Sequence, residues 1–531
     1  MKKLSKRKKN WIERTVGNDR SYKLYLYNRF VLFVLSVLLQ IVFSVGLLYL
    51  LTYHSKAGIA LQTIIAIVEL LVILHLVNKS NPATRLSWIL LIAFFPFVGV
   101  PMYLVYGEGK ALRKMRKKIV QVKEENETAW KEVYGKTEET FPVFEQESVS
   151  HYLSFHAGYP IYRQGDVTYF KSGEEAFPVM LAELKKAERF ILLEYFIVEG
   201  GKMWNQILRV LLEKAEQGVQ IRMIYDDFGC MMTLPPKYDR YLESLHKNIR
   251  CVSFNKVIPI FDLRMNNRDH RKLLIIDGKV GFTGGINLAD EYIGEKIRFG
   301  YWKDSCLKIS GASVNSFTKM FFYLWNASRK DKERLQEYLL PLSAYKEENN
   351  TGGIQPYDDS PLDRTHVGET VYFDMVNQAK KYVYIFTPYL VLDDSMRMAL
   401  CLAAMRGVVV RIVTPGVPDK KMVYRLTRAN YETLLDAGVK IYEYTPGFIH
   451  SKSMVCDDRY AVVGTINLDY RSLYLHFEDA VYFSDCDAVW DVKRDAEETF
   501  AVSKLYTKEN FHRSKIGSLT DSVLRLFETM F

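Results

Sequence analysis

Two stretches of the chain decide its fold: HRKLLIIDGKVGFTGGINL at residues 270–288 and HSKSMVCDDRYAVVGTINL at residues 450–468. They align at a constant offset of 180 residues, and seven of the nineteen aligned positions are identical. Random pairing would give roughly one identity at ordinary residue frequencies. The chain therefore carries an internal duplication, and two copies so far apart predict two related domains rather than a short-period solenoid.

Around each copy, short β-branched runs alternate with stretches of helical periodicity. The predicted strand, helix and strand lie at 190–198, 203–217 and 220–225 in the first half, and at 382–386, 395–406 and 408–413 in the second. This alternation is typical of βαβ crossovers. The sequence thus predicts an α/β fold of two α/β/α domains, related by a pseudo-twofold axis and forming one active site. A Gly- and Pro-rich stretch at 346–364 is predicted to be the linker between them.

The composition excludes several classes of protein. With 48% apolar and 25% charged residues, the 531-residue chain is folded rather than disordered. Its net charge of +10 is concentrated at 1–29, which carries +8, and at 107–123, which carries +6, so the remainder carries −4. A non-specific nucleic-acid binder would instead spread basic charge over its folded surface. The six cysteines are scattered without metal-ligand spacing, so neither a zinc site nor a disulfide framework is predicted.

The two basic regions flank an apolar segment at 30–106. Its first run, 30–53, has 24 residues without a charge, which is long enough for a transmembrane helix. A second run follows at 59–77, and a third, at 87–106, is interrupted by prolines and is predicted to be kinked or re-entrant. Because basic flanks favour the cytoplasmic side, an even number of crossings is predicted. The protein would then be multi-pass in the cell membrane, with catalytic domains that face the cytoplasm.

Each copy of the repeat presents polar side chains at matched positions. The His-x-Lys pair is predicted to place both side chains on one face of a strand, because residues i and i+2 face the same side. An aspartate follows at a turn, where it is more consistent with organising the loop than with touching substrate. Gly-x-x-Asn then offers a carboxamide. These residues are His270, Lys272, Asp277 and Asn287 in the first copy, and His450, Lys452, Asp457 and Asn467 in the second.

Two imidazoles, two ammoniums and two carboxamides that meet at a pseudo-twofold interface would bind an anion such as a phosphodiester. The lysines and asparagines can stabilise phosphoryl oxygens without a metal. One neutral histidine would attack phosphorus, and the other, protonated, would donate to the leaving alkoxide. A lone His-x-Lys would be an ordinary strand end; two copies at matched spacing favour a catalytic pair.

Two further carboxylates are predicted to position the histidines. Asp304 and Glu478 follow the asparagines of their own copies by 17 and 11 residues. Each is predicted to bond the distal nitrogen of the histidine in its own copy and so fix the tautomer.

The repeated residues form an HxKxxxxD motif that resembles the motif of the phospholipase D superfamily. The motif stands here twice, as His270-Arg271-Lys272 with Asp277 and as His450-Ser451-Lys452 with Asp457. The resemblance is closest to bacterial cardiolipin synthases and covers nearly the whole chain, including the proline-interrupted segment. One departure is Gly285, where many relatives have serine and the second copy has Thr465.

The resemblance implies two phospholipase D-like domains and places the His, Lys and Asp of both motifs in the active site. It further implies that no metal or cofactor is needed and that two phosphatidylglycerol molecules yield cardiolipin and glycerol through a phosphohistidine. The residues do not distinguish which histidine is the nucleophile, and the resemblance favours His270. The implied organisation is a basic cytoplasmic lead, a transmembrane segment, a charged linker and the two domains, at 1–29, 30–106, 107–150, 151–345 and 346–531.

Other activities of the superfamily stay open from the sequence. Phospholipase D hydrolysis and phosphatidylserine synthesis would use the same residues. A nuclease is disfavoured because the chain outside the basic flanks lacks net positive charge. The predicted partners are therefore membrane phospholipids and not nucleic acid.

Overall fold

The computed structural model describes most of the chain after residue 55. The described residues are 42, 46, 49, 56–79, 82–94, 99–100, 103, 110–135, 148–163, 165–257, 266–345, 352–362, 365–511, 521, 524–525 and 528. The predicted basic lead at 1–29 and nearly all of the predicted transmembrane helix at 30–53 lie outside them.

The second predicted apolar run is helical and lies within α1, Lys56–Lys79, while the third begins in α2, Pro82–Phe94. The two helices pack through a small apolar cluster that includes Val72, Leu76 and Ile92. Within the part of the chain that the structure describes, no helix is both long enough and apolar enough to cross a membrane.

The segment predicted to be a charged linker is largely a helix, α3, Lys110–Tyr134. It packs against a helix of the first domain through buried Val122, Trp130 and Tyr134. Glu127 of α3 pairs with the buried Lys319 at 2.5 Å. The linker prediction for 107–150 was wrong here, because a charged helix with one apolar stripe needs a partner surface that composition does not reveal.

The first repeat folds around a central sheet covered by helices. The strands are β1 Val167–Phe170, β2 Phe190–Tyr195, β3 Gln220–Asp226, β4 Ile249–Phe254, β5 Arg268–Asp269, β6 Lys272–Ile276, β7 Val280–Gly284, β8 Tyr301–Lys303 and β9 Cys306–Ser310. The helices of at least five residues from Ser148 onward are α4 Ser148–Tyr152, α5 Gly173–Lys186, α6 Lys202–Glu216, α7 Tyr238–Leu245 and α8 Val314–Ser328, with a π-helix at Leu153–Ala157. Strands β2 and β6 are buried on both faces, which explains their continuous apolar sequence.

The second repeat has the same plan. Its strands are β10 Gly353–Asp359, β11 Tyr382–Phe386, β12 Val409–Pro415, β13 Lys440–Tyr444, β14 Gly447–Ile449, β15 Ser453–Cys456, β16 Tyr460–Gly464, β17 His476–Ser484 and β18 Ser503–Tyr506. Its helices of at least five residues, up to residue 511, are α9 Val367–Gln378, α10 Asp394–Met405, α11 Lys421–Ala429, α12 Tyr431–Asp436, α13 Tyr470–Tyr474 and α14 Asp487–Ala501. The predicted βαβ elements of both halves are confirmed to within a few residues.

The strand orders of the two sheets match over seven strands, and the second sheet adds β18 at one edge. The first is β1-β9-β7-β6-β2-β3-β4, and the second is β10-β17-β16-β15-β11-β12-β13-β18 among the described residues. In both sheets the central crossover strands run parallel, and the strand after the His-x-Lys motif lies antiparallel beside them. The predicted duplication is therefore a duplication of fold.

The linker predicted at 346–364 is wrong, because it contains the buried strand β10. That strand pairs along its whole length with β17 at the edge of the second sheet. An edge position tolerates Pro356, which cannot donate to a ladder on both sides. Backbone pairing with β17 thus overrides a composition that is otherwise typical of a turn.

Candidate active site

A cavity of about 520 Å³ lies between the two repeats and receives residues from both. Histidines, arginines and aromatic side chains form most of its wall. The lining includes Phe196, Phe228, Arg268, His270, Asn287, Glu291, Tyr292, Arg298, Trp302, Tyr389, Lys420, His450, Asn467, Arg471 and His476. Of the ten predicted site residues, four line this cavity.

The two motif histidines share the cavity, and each is bonded to a carboxylate of the other repeat. His270 Nδ1 lies 2.8 Å from Glu478 Oε2, and His450 Nδ1 lies 2.7 Å from Asp304 Oδ2. Both carboxylates are fully buried. The sequence prediction paired each carboxylate with the histidine of its own copy, and that pairing is wrong.

Each histidine meets the carboxylate of the other repeat because two short pairs of strands join the repeats. Strand β5 pairs with the start of β17, and β14 pairs with β8. The backbone N–H of His270 donates to Phe477 O at 2.9 Å, and that of His450 donates to Lys303 O at 2.7 Å. Each histidine is thereby fixed beside the residue that follows its backbone partner, which is Glu478 or Asp304. The sequence predicted that each histidine lies on the face of a strand. In the structure, both histidines lie just before the strands that follow them.

The two carboxylates are held differently. Glu478 also accepts from Ser472 Oγ and Thr465 Oγ1, both at 2.5 Å. Asp304 instead accepts from the Ser305 backbone N–H at 2.8 Å. A side chain on Gly285 would start 1.9 Å from Asp304 Oδ1, so the carboxylate fills the space that Thr465 fills in the other copy. Gly285, the departure noted in the sequence, therefore leaves the space that the Asp304 carboxylate occupies.

The motif lysines are buried beside the histidines. Lys272 Nζ donates to His270 O at 2.5 Å, and Lys452 Nζ donates to His450 O. Burial lowers the pKa of Lys272 to about 8 and that of Lys452 to about 7, although neighbouring carboxylates oppose the shift. Neither lysine lines the cavity wall itself, and each is bonded to the backbone of its motif histidine.

The two asparagines line the cavity but are held differently. Asn287 Oδ1 accepts from the Ile197 N–H at 3.0 Å, and its Nδ2 donates to the Tyr292 hydroxyl at 2.7 Å. Asn467 Oδ1 is buried and has no partner among the described residues. Its backbone N–H donates to Ser472 Oγ at 2.8 Å.

The motif aspartates are not brought to the cavity. Asp277 directly follows β6 in the left-handed conformation, with φ of 55°, and Asp457 follows β15 in the same way with φ of 56°. A strand rises about 3.3 Å per residue, so Asp277 lies roughly 17 Å from Lys272 along β6. Its carboxylate accepts from the backbone N–H groups of Glu188, Arg189 and Phe190 at 2.7 to 2.8 Å. This placement favours the loop-organising interpretation over contact with substrate.

We expect the Asp277→Asn variant to lose stability more than chemistry. The amide presents an NH₂ group to backbone donors that need acceptors, which would cost about 1–3 kcal/mol of unfolding free energy. Thermal unfolding and turnover per folded molecule would be measured together. A loss of turnover without a change in stability would instead give Asp277 a role in the chemistry. Asp457→Asn, whose carboxylate accepts from Lys380, Lys381 and Tyr382, provides the matched test in the second copy.

The pKa of each motif histidine is lowered, which favours the neutral imidazole at neutral pH. Burial, with help from the two lysines, lowers the pKa of His270 well below its usual value and that of His450 to about 4. With Nδ1–H donated to a carboxylate, a neutral imidazole directs the lone pair of Nε2 away from that carboxylate. The site therefore favours neutral imidazoles beside two buried lysine side chains.

These pKa values predict a bell-shaped dependence of kcat/KM on pH. Activity falls on the acid side, below the usual histidine pKa of 6.5, because protonation removes the nucleophilic lone pair. It falls on the alkaline side as pH rises through about 7 to 8, because Lys452 and then Lys272 lose their positive charge. Initial rates at low substrate concentration would show both limbs. A profile that stays flat between pH 7 and 8 would contradict the assignment of the alkaline limb.

The sequence reasoning predicted only four of the wall residues, and those it missed include Arg268, Arg471 and His476. Arg268 precedes the first motif by two residues, and Arg471 lies in the stretch after the second Gly-x-x-Asn, so proximity to a motif was the available signal. For His476 the sequence offers no such signal, because only the pairing of β17 with β5 brings it to the cavity. His270, His476 and Glu478 present ligand atoms within 4.8 Å of one another, and this is the group that could hold a metal ion among the described residues.

Comparison with known proteins follows the same two halves. A family model described as cardiolipin synthase, phospholipase D-like domain matches residues 180–325 and 372–500, and a phospholipase D-nuclease N-terminal model matches 63–108. The chain belongs to the phospholipase D-like cardiolipin synthase family. The predicted resemblance is thus confirmed, and both family-model segments contain one His-x-Lys motif.

Relatives cover nearly the whole chain. It is 43% identical to an uncharacterized protein of Streptococcus mutans over 84% of this chain and 96% of that one. It is 33% identical to the cardiolipin synthase of Geobacillus kaustophilus over 88% of this chain and 92% of the relative. The crystal structure of a Haemophilus influenzae phosphatidylserine synthase shares the fold, with a TM-score of 0.55 at 15% identity over 72% of this chain and all of that one.

Proposed function

We propose that this protein is a cardiolipin synthase that transfers a phosphatidyl group from one phosphatidylglycerol to another. The observation that carries the proposal is the pair of histidines in one cavity, each oriented by a buried carboxylate and backed by a buried lysine. Such a pair suits displacement at phosphorus, because one nitrogen can attack while the other donates a proton to the leaving oxygen. The identity of the relatives as cardiolipin synthases supports the choice of substrate.

In the first step, His270 Nε2 attacks the phosphorus of the donor lipid. The bond from phosphorus to the glycerol oxygen breaks, and His450 supplies the proton that glycerol needs in order to leave. The negative charge of the bound diester raises the pKa of His450 and so generates the acid form. Lys272 and Lys452 stabilise the charge that develops on the phosphoryl oxygens, and Glu478 stabilises the positive charge on His270.

In the second step, a hydroxyl of the acceptor lipid attacks the phosphatidyl-histidine. His450, now neutral, takes the proton of that hydroxyl, and the bond between phosphorus and His270 breaks with its electrons returning to the ring. Cardiolipin is released. His270 is again neutral, and His450 is again protonated and ready to donate its proton in the next cycle. These two reaction steps need no metal, because side chains of the protein balance the charges that develop.

Membrane attachment is part of the proposal. The uncharged run at 30–53 is long enough to span a bilayer, and basic residues flank the apolar segment. Apolar side chains of α1 that are at least half exposed supply a surface suited to lipid: Ile64, Ile67, Leu70, Leu71, Leu74 and Val77. An anchored site meets acceptor lipids at a high effective concentration, which favours transfer over hydrolysis. We place the catalytic domains on the cytoplasmic side.

The proposal is tested with the purified full-length protein in vesicles of phosphatidylglycerol, with a chelator present. Mass spectrometry would detect cardiolipin and an equal amount of glycerol. Phosphatidic acid with little cardiolipin would make the protein a hydrolase. Activity that requires a nucleotide-activated lipid and serine would make it a phosphatidylserine synthase. Loss of turnover on chelation would contradict the metal-free mechanism.

A further inference from the structure

Two buried hydroxyl groups donate to the carboxylate of Glu478. Thr465 Oγ1 donates to Glu478 Oε2 and Ser472 Oγ donates to Glu478 Oε1, both at 2.5 Å. Each hydroxyl also accepts a backbone N–H, from Asp479 at 2.9 Å and from Asn467 at 2.8 Å. The Thr465 hydroxyl lies farther, at 3.1 Å, from Asp479 O. Since a hydroxyl has one proton to donate, both protons are directed at Glu478.

The first repeat lacks both donors at the equivalent positions. The residue 180 positions before Thr465 is Gly285, which has no side chain. The residue 180 positions before Ser472 is Tyr292, whose hydroxyl accepts from the carboxamide of its own repeat instead. Among the described residues, Asp304 accepts one bond besides that of its histidine, from a backbone N–H at 2.8 Å. The two carboxylates are therefore shared to different extents.

Neighbouring charged groups do not produce this difference. Lys272 and Lys452 each interact electrostatically with both carboxylates. His476 Nδ1 lies 3.7 Å from Glu478 Oε1, which is too far for a hydrogen bond. Within the described part of the chain, Glu478 has three hydrogen-bond donors and Asp304 has two, and the additional donors of Glu478 are hydroxyls.

This sharing changes what each carboxylate does to its histidine. Hydrogen bonds to a carboxylate stabilise its charged form, so a carboxylate that accepts two hydroxyl bonds attracts a third proton less strongly. Glu478 can then accept the Nδ1–H bond of His270 without taking the proton. Asp304 has fewer donors and directs more of its charge at His450, which favours the imidazolium that the acid of the first step requires.

We propose that Thr465 and Ser472 are positioning residues that keep the phosphatidyl-histidine labile, because they limit how strongly Glu478 attracts the Nδ1 proton of His270. This rests on the proposed function, in which His270 carries the phosphatidyl group. In the second step the acceptor oxygen bonds to phosphorus and gives its proton to His450. The phosphorus–nitrogen bond breaks, and its electron pair returns to His270 Nε2.

The position of the Nδ1 proton decides how easily that bond breaks. With the proton on Nδ1, the ring leaves phosphorus as a neutral imidazole. If Glu478 took the proton, the ring would leave as the much more basic imidazolate, which is a poorer leaving group. The two hydroxyls thus suit His270 to the covalent role, and their absence beside Asp304 suits His450 to proton transfer.

The test uses full-length Thr465→Val and Ser472→Ala with a phosphatidyl donor whose leaving group is p-nitrophenol, in phosphatidylglycerol vesicles. Rapid mixing would resolve the formation of the labelled histidine from its decay, and mass spectrometry of peptides would locate the label. We expect decay to slow about 10-fold in each variant, as for loss of a hydrogen bond to a charged group. Formation should be unchanged or faster, so the label on His270 accumulates.

Two further variants are controls. Thr465→Ser keeps the hydroxyl and should keep the wild-type ratio of formation rate to decay rate. Thr499→Val removes a buried hydroxyl that donates to Asp495 O within α14, outside the cavity, and should also keep that ratio. Because only folded molecules contribute to both rates, the ratio does not depend on the folded fraction. Thr465→Val and Ser472→Ala release different backbone N–H groups, so an effect common to both is assigned to Glu478.

Three results would overturn the inference while leaving the transferase intact. The first is an unchanged ratio in both variants. The second is equal slowing of formation and decay, which a distorted cavity would cause. The third is a label on His450 in place of His270. A wild-type protein that forms neither a phosphatidyl-histidine nor cardiolipin overturns the proposed function and this inference together.

Discussion

Replacing His270 or His450 by alanine is expected to lower cardiolipin formation by at least about 10⁴-fold, because each variant removes a group that acts directly on phosphorus or on the leaving oxygen. The two losses should differ in kind. A phosphatidyl donor with a p-nitrophenol leaving group needs no proton for departure. It should restore the first step of His450→Ala by the about 10²- to 10⁴-fold that a general acid contributes, and it should not restore His270→Ala.

The same donor gives a second observable. In His450→Ala, the phosphatidyl-histidine should form with a burst of p-nitrophenol and then accumulate, since the base for the acceptor hydroxyl is missing. An acid-labile phosphatidyl label would remain on the protein. Wild-type turnover in either variant would contradict the paired-histidine mechanism, and rescue of His270→Ala alone would reverse the two roles. Arg459→Gln is the matched surface control.

The crossed carboxylates make the second prediction. Glu478→Gln and Asp304→Asn each keep the side-chain shape but lose the negative charge, and their NH₂ group can face Nδ1 and favour the wrong histidine tautomer, at an expected cost of about 10²- to 10⁴-fold in kcat. Because Asp304 bonds His450, its variant should behave like His450→Ala and be rescued by p-nitrophenol. Because Glu478 bonds His270, its variant should not be rescued.

This pattern of rescue distinguishes carboxylate–histidine pairs formed between the two repeats from pairs formed within one repeat. If each carboxylate served the histidine of its own repeat, rescue would appear in Glu478→Gln and be absent in Asp304→Asn. The acid limb of the pH profile provides a readout that a purely structural defect would leave in place, since loss of the Glu478 charge lowers the pKa of His270 further. Asp485→Asn, at an exposed ion pair, is the control for loss of a carboxylate.

The interface between the repeats shows why the partners of a motif residue cannot be predicted from the motif alone. Arg271, the residue inside the first motif, is fully buried and pairs with Glu194 at 2.6 Å and with Asp358 at 3.4 Å. Its counterpart Ser451 instead shares a hydrogen bond of 2.5 Å with Ser305. One side of the interface is thus charged and the other is a pair of hydroxyls. The motif spacing does not record this difference, because the partners come from strands far away in sequence.

Much of the fold followed from the pattern of residues. Continuous apolar runs such as 273–276 predicted strands covered on both faces, and the repeat at an offset of 180 predicted two sheets of equal plan. The failures occurred where long-range pairing outweighs local composition. Strand β10 occupies a Gly- and Pro-rich stretch because β17 supplies its hydrogen bonds, and α3 is ordered because its apolar stripe meets the first domain.

The sequence by itself predicted the duplicated α/β frame and the side chains proposed for the chemistry: two histidines, two lysines and two asparagines. Local spacing suffices for this, since turn chemistry and strand periodicity act over a few residues. Only the tertiary structure decided which carboxylate orients which histidine, and that Asp277 and Asp457 lie beyond the far ends of their strands. Those outcomes depend on strand pairs that join the two repeats, and such pairs are set by packing between distant segments.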